Sequence, residues 1–171
     1  MEFRQVGAVW FSVFETRVRE FSQFAKETGF EKREWIQPGF VQTPEDPVVK
    51  VTWDDAQSFC LWLTERDLAV GLLKPGEHYR LPTDLEWSQA VGLGKEDGAT
   101  PMERGQQYAE TFPWGKQWPP PAGVANLLGA GGPGRTMPVG SFPASRTGLH
   151  DLSGNVWEWC QDAMSGTSKT K

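Results

Sequence analysis

The feature that most constrains this sequence is the stretch from Gly92 to Leu149, which shows neither helical nor strand periodicity and is interrupted throughout by glycine and proline. An irregular segment of this length is uncommon in a compact domain, so buried aromatic rings, side-chain hydrogen bonds or a bound ion must order it. At 171 residues the chain is the size of one domain. Several of its nine tryptophans lie in or beside these loops. We therefore expect one loop-rich domain, 1–171, that is filled by tryptophan side chains.

Regular structure is predicted in only a few places. Three segments have the apolar spacing and end signals of helices: roughly 14–28 before Gly29, a second from Thr52 to about Asp67, and a third between Thr83 and Gly92. The segments that favour strands are short and lie at 8–13, 47–51 and 156–160. Three helices with few short strands predict an α+β fold.

Composition excludes several classes of function. The net charge of −5 gives no excess of lysine and arginine for binding nucleic acid. No run of 18 apolar residues predicts a membrane span, and no secretory signal is visible, so a cytoplasmic location is weakly favoured. The glycine pattern at 129–134 lacks the strand and helix that a dinucleotide site needs. His78 and His150 are too far apart in sequence for helical metal-ligand spacing, and we interpret both as structural.

The segment 148–159 carries the strongest candidate for chemistry. Asp151 and Glu158 supply two carboxylates, and a turn at Gly154 would expose backbone carbonyls between them. Oxygen ligands of this kind suit a hard cation such as Ca²⁺. The alternative interpretation is a tight turn with Asn155 in a left-handed conformation and Glu158 in a salt bridge.

Five motifs in a fixed order resemble one known family. They are 47–62 (PVVKVTWDDAQSFCLW), 79–90 (YRLPTDLEWSQA), 112–115 (FPWG), 138–143 (PVGSFP), and Gly148 followed by 154–159 (GNVWEW). Together they resemble the formylglycine-generating enzyme, or sulfatase-modifying factor, family. The resemblance implies a C-type-lectin-like α+β fold. It also implies an enzyme that uses O₂, and copper held by two cysteines, to oxidise a cysteine of a sulfatase peptide to formylglycine.

The resemblance further implies structural calcium. One calcium site maps onto the side chains of Asp151 and Glu158 and the backbone carbonyls of Gly154 and Val156. A second site is matched at Asn126, but its later acidic ligand has no counterpart in 129–137. We therefore expect calcium at the first site and leave the second open.

The departures from the family pattern decide the expected function. The family's catalytic cysteine pair lies beyond the last motif, whereas the only cysteines here are Cys60 and Cys160, at positions that are structural or variable in the family. We therefore predict no catalytic or cofactor-binding residue, copper only in a longer protein with further cysteines, and a domain incomplete at its C-terminus. A sulfatase-like peptide is the expected partner. The alternative is a non-catalytic lectin-like module for a peptide or another ligand, as found on bacterial signalling proteins.

Overall fold

The computed structural model describes residues 1–108, 110–129 and 132–164, and most of its chain is loop. A hairpin of two strands is followed by helices separated by long irregular connections. In chain order the elements are β1 (Phe3–Val6), β2 (Val9–Ser12), α1 (Val18–Thr28), α2 (Trp53–Ala69), α3 (Asp84–Val91), α4 (Pro101–Gly105) and a 3₁₀ turn, Gln106–Tyr108. The loop-rich α+β architecture is thus confirmed.

The strands form one antiparallel pair, with Phe3 opposite Ser12 and Val6 opposite Val9. The prediction at 8–13 is therefore confirmed as β2. The segment 47–51 contributes only a single bridge, between Arg17 and Pro47, and 156–160 forms no strand. Both of these strand predictions are wrong, because in the described part of the chain neither segment has a neighbouring strand with which to form a ladder.

The three predicted helices are present, and their ends follow their capping residues. Helix α1 begins at Val18 rather than at Phe14, because Arg17 is extended and its backbone N–H donates to the Glu20 carboxylate at 2.8 Å. Thr52 and Thr83 cap α2 and α3 as predicted. The short α4 was not predicted, although proline at its first position and the capping box of Thr100 and Glu103 are sequence signals of a helix start.

Two clusters of buried side chains form the core. Phenylalanine and tryptophan side chains from α1, α2 and the loop between them make the larger cluster: Phe21, Phe24, Trp35, Phe59, Trp62 and Leu63. The smaller cluster joins the hairpin to α3 and to the segment 149–152: Val6, Val13, Ala90, Leu149 and Leu152. This second cluster positions the candidate cation segment.

The expectation that the motif tryptophans fill the fold is wrong for three of them. Trp157 is completely exposed, and Trp159 and Trp53 are 48% and 37% exposed. The indole N–H groups of Trp159 and Trp53 nevertheless donate to backbone carbonyls, of Val51 at 3.2 Å and Cys160 at 2.9 Å. These two rings tie the C-terminal motif to the start of α2 instead of forming the core.

Candidate functional site

The segment that begins at Leu149 is fixed onto the N-terminal hairpin. Leu149 is buried in the smaller core cluster, and the backbone N–H of His150 donates to the carbonyl of Val13 at 3.0 Å. The His150 ring stacks on Phe14, and its Nδ1 lies 2.8 Å from the carbonyl oxygen of Phe142. His150 therefore has the structural role that the sequence predicts, and it fixes the residue that follows it.

Asp151 is buried and its backbone is left-handed, with φ of 59°. Its Oδ2 accepts a hydrogen bond from the Gly140 N–H at 2.6 Å. Burial raises the pKa of Asp151, although the Gly140 hydrogen bond opposes that rise. A carboxylate held in this way has a fixed orientation but little compensation for its charge.

Gly154 lies against the backbone of Asn126. Its φ is +96°, and a Cβ atom built on it would stand 2.5 Å from the Asn126 carbonyl oxygen. That same carbonyl accepts the Asn155 N–H at 2.8 Å. The turn at Gly154 thus brings Asn126, assigned from sequence to a separate second site, into contact with the first candidate site.

The side chain of Asn155 is the centre of a closed hydrogen-bond network. Its Nδ2 donates to Glu15 at 2.8 Å and to the Met137 carbonyl at 3.1 Å, and its Oδ1 accepts from the Met137 N–H and from Asn126 Nδ2. With both amide hydrogens and both oxygen lone pairs engaged, Asn155 holds neighbouring segments together. The left-handed conformation expected for Asn155 is confirmed, with φ of 59°.

Glu15, which the sequence analysis did not select, stands at this network. Its Oε2 accepts from Asn155, while its Oε1 is buried and has no hydrogen-bond partner among the described residues. Burial, and then the negative charges of Glu158 and Asp151, raise the pKa of Glu15 to about 9. No local pattern marks this residue in the sequence, because its partner Asn155 lies 140 positions away.

The carboxyl group of Glu158 also has a raised pKa. The residue as a whole is exposed, but desolvation of its carboxyl group, and then the charge of Asp151, raise the pKa of Glu158 to about 7. The salt bridge expected in the alternative interpretation is not formed, since no cation of the described part of the chain pairs with Glu158. The negative charge of Asp151 thus raises the pKa of both Glu158 and Glu15, and the charge of Glu158 also raises that of Glu15.

The residues present fit a hard cation by their chemistry. Two carboxylates flank the carbonyl-bearing turn, and the buried, unpartnered Oε1 of Glu15 marks negative charge without a complement. Within the ranges that the structure describes, no three histidine, cysteine, aspartate or glutamate side chains converge on one point. An ion here would accordingly rely on two carboxylates together with backbone oxygens, as the sequence analysis predicts.

A cavity of about 1310 Å³ opens beside this site. Its lining includes Glu15 and Glu158 as well as apolar side chains, among which Trp10, Leu128 and Trp157 are largely exposed. Cys60 of α2 also lines the cavity. Burial raises the pKa of Cys60 to about 11, and burial with nearby carboxylates raises that of Cys160 to about 12.

One family model matches nearly the whole chain. The sequence model of the sulfatase-modifying factor enzyme 1-like domain matches residues 4–170. This chain belongs to the sulfatase-modifying factor family. The formylglycine-generating enzyme of Bos taurus is 32% identical over 124 residues, which are 70% of this chain and 28% of that protein.

Two further relatives show how widely the sulfatase-modifying factor domain is used. Serine/threonine-protein kinase Pkn1 of Chlamydia trachomatis serovar L2 is 34% identical over 130 residues, covering 76% of this chain and 16% of the kinase. The structure of PvdO from Pseudomonas aeruginosa superposes with a TM-score of 0.62 at 25% identity, covering 90% of this chain and 56% of PvdO. The chain thus spans between about a sixth and just over half of these relatives.

Other sequence motifs of the sulfatase-modifying factor domain have structural roles. Arg80 forms a two-pronged ion pair with Glu86, at 2.7 and 2.6 Å, beside the Thr83 cap. The glycine pattern 129–134 includes positions 130 and 131, which lie outside the described residues.

Among the helices of the described ranges, none has the length and apolarity to cross a membrane.

Proposed function

We propose that this chain is the peptide-binding and calcium-binding part of a formylglycine-generating-type domain, and that it does not oxidise a cysteine by itself. The observation that carries the proposal is the cavity of about 1310 Å³, with Trp10, Leu128 and Trp157 exposed along it. Exposed aromatic and apolar side chains that line a concave surface are typical of sites that bind another polypeptide. Because the family is named for the modification of sulfatases, the occupant we propose is an extended segment of a sulfatase-like protein.

The thiols of this chain support the non-catalytic half of the proposal. Copper binds the thiolate form of cysteine, whereas the surroundings of Cys60 and Cys160 raise both pKa values well above neutrality. Neither cysteine has a lysine, arginine or histidine among the groups that shift its pKa. Oxidation would therefore need two further cysteines from outside this sequence.

Calcium is the ion that the donor set suits. The side chains of Asp151 and Glu158, with the carbonyls of Gly154 and Val156, would hold it. Its charge would offset carboxylates that burial destabilises and, for Glu158, the negative charge of Asp151 as well. The Gly140 N–H orients Asp151, and the contact of Gly154 with Asn126 shapes the turn. Asn126 would act through this packing, while a second ion at Asn126 stays a sequence prediction.

Calorimetry with a synthetic peptide that contains Cys-x-Pro-x-Arg tests the peptide-binding proposal. We expect binding that Trp157→Ala weakens at least fivefold. Trp118→Ala is the matched control, because Trp118 is 61% exposed but does not line the cavity. Mass spectrometry of the peptide after incubation with copper and O₂ should show an unmodified cysteine. Absence of peptide binding, or formylglycine produced by this chain alone, would contradict the proposal.

The chlamydial kinase relative favours a second candidate function, a ligand-binding module of a signalling protein. In that case the same cavity would take a ligand unrelated to sulfatases. Binding of a sugar or of other peptides, together with silence toward the Cys-x-Pro-x-Arg peptide, would favour this second function. Trp157→Ala should weaken binding there as well, since the cavity is shared.

A further inference from the structure

The outer edge of strand β2 borders the cavity and has no partner strand among the described residues. We propose that the peptide binds by adding an antiparallel strand to this edge, with the two variable residues of the Cys-x-Pro-x-Arg motif hydrogen-bonded to Trp10 and Ser12 and the proline opposite Phe11. This inference rests on the peptide binding proposed above. It adds the binding mode and the register, which determine the parts of the peptide that the cavity recognises.

The first support is the course of the cavity around β2. All four residues of β2 line the cavity, whereas β1 contributes only Phe3 and the two-residue turn between the strands contributes none. Successive side chains of a strand point to opposite faces of its sheet, so Val9 and Phe11 lie on one face and Trp10 and Ser12 on the other. A cavity that reaches all four therefore passes around the outer edge of β2. It places an extended ligand beside the backbone of this strand.

The second support is the direction of the backbone groups on this edge. The Val13 N–H donates to the Glu2 carbonyl at 2.9 Å, which makes these two residues a hydrogen-bonded pair of the hairpin. In an antiparallel ladder such pairs alternate with pairs that share no hydrogen bond. Trp10 and Ser12 are three and one positions from Val13, so their N–H and C=O groups point away from β1. Within the described part of the chain, neither backbone has a partner outside the hairpin.

The peptide motif is complementary to such an edge because proline has no N–H. In an extended peptide, alternate residues direct their backbone groups to the same side. Cysteine, proline and arginine therefore share one side, and the two variable residues share the other. Since proline cannot donate to a ladder, the side with the variable residues must face β2. The variable residues are two positions apart, as are Trp10 and Ser12, and an antiparallel pairing then sets the proline opposite Phe11.

This register also accounts for the fixed and variable positions of the motif. Residues opposite each other in an antiparallel pair have side chains on the same face, and the pairs without hydrogen bonds bring them closest together. The proline would thus pack beside Phe11, which is half-buried and lines the cavity. The variable side chains would lie on the other face, beside the largely exposed Trp10. An open face of this kind tolerates different side chains.

Calorimetry with N-methylated forms of the peptide Ala-Cys-Ala-Pro-Ala-Arg-Ala, in reducing agent, tests this binding mode. A methyl group on the amide nitrogen of either alanine between cysteine and arginine removes a donor and collides with the edge of β2. We expect it to raise the Kd at least tenfold. The matched control carries the methyl group on the arginine amide, which points away from β2, and its Kd should stay within threefold of the unmodified peptide.

A pair of protein variants tests the same edge from the other side. Trp10→Pro removes the outward N–H of Trp10, and the strand should tolerate it because that N–H has no partner within the described chain. Trp10→Ala is the control that removes only the side chain. We expect Trp10→Pro to bind the unmodified peptide at least fivefold more weakly than Trp10→Ala, with both variants folded by thermal melting.

The outcomes separate the binding mode from peptide binding itself. If the unmodified peptide does not bind, the proposed function fails and strand addition fails with it. If it binds and methylation of the variable residues changes nothing, or methylation of arginine weakens binding equally, strand addition is overturned while peptide binding stands. Equal binding by Trp10→Pro and Trp10→Ala would overturn it too, and if Trp10→Pro does not fold, the methylated peptides decide. A wild-type dimer that Trp10→Pro dissociates in sedimentation would show a second copy on this edge and overturn the proposal.

Discussion

Replacing Gly154 by alanine tests how the turn of the candidate calcium segment is built. The added Cβ would stand 2.5 Å from the Asn126 carbonyl oxygen, whereas ordinary contacts begin near 3.4 Å, so the two backbones must separate by about 0.9 Å. That movement strains the hydrogen bond from the Asn155 N–H to the same oxygen, worth about 1 kcal/mol. Overpacking adds about 1–3 kcal/mol and the positive φ about 1 kcal/mol. We expect a loss of about 3–5 kcal/mol in the free energy of unfolding.

Urea unfolding followed by tryptophan fluorescence measures this loss. Gly29→Ala is the matched control, since Gly29 also has a positive φ, of 69°, but nothing lies within 4 Å of its added Cβ. It should cost only about 1 kcal/mol, from the left-handed backbone. The difference between the two variants isolates the contact with Asn126. Values within about 0.5 kcal/mol of each other would refute the reasoning.

Three further predictions test the core, an ion pair and the cavity. Phe21→Ala removes a ring that is 1% exposed and should cost about 3–5 kcal/mol in urea unfolding, whereas Leu61→Ala, at an exposed site, should cost under about 1 kcal/mol. Arg80 lowers the pKa of Glu86 from its usual 4.5 to about 2, so the stability that this pair provides is present above pH 4.5 and lost as the pH falls toward 2. Glu86→Gln should therefore cost about 1–2 kcal/mol at neutral pH and flatten the acid limb of the melting profile; an unchanged profile would contradict this. Trp157→Ala should leave the melting temperature within about 2 °C of wild type, because the ring is fully exposed; a larger fall would show that it supports the fold.

The helices were predictable because their signals are local. The capping boxes at Thr52 and Thr83 lie within four residues of sequence, and the structure uses both. The first helix was predicted to start too early. Arg17 is held extended by its hydrogen bond to Glu20 and also by partners about 30 residues away, Glu45 and Pro47. Contacts at that separation leave no periodic pattern in the sequence.

In the candidate site, too, residues within one short motif were predictable and residues joined by long-range contacts were not. Asp151 and Glu158 were found because they share one short motif with Gly154. Glu15 was missed because its link to Asn155 spans 140 residues, and its unpartnered oxygen is visible only in three dimensions. Trp157 was wrongly predicted to be buried, because the presence of a tryptophan in a motif does not show whether its side chain lies in the core or on the surface.

Thermal melting in calcium and in chelator tests the central claim, that the segment from Asp151 to Glu158 binds calcium in this sulfatase-modifying factor domain. A dissociation constant of about 10 µM would make 1 mM calcium stabilise the protein by about 2.7 kcal/mol, which raises the melting temperature by about 5–10 °C. Asp151→Ala should abolish that rise, whereas Asp54→Ala, an exposed aspartate on α2, should retain it. Equal melting temperatures of the wild type in calcium and in chelator would show that this segment does not bind calcium.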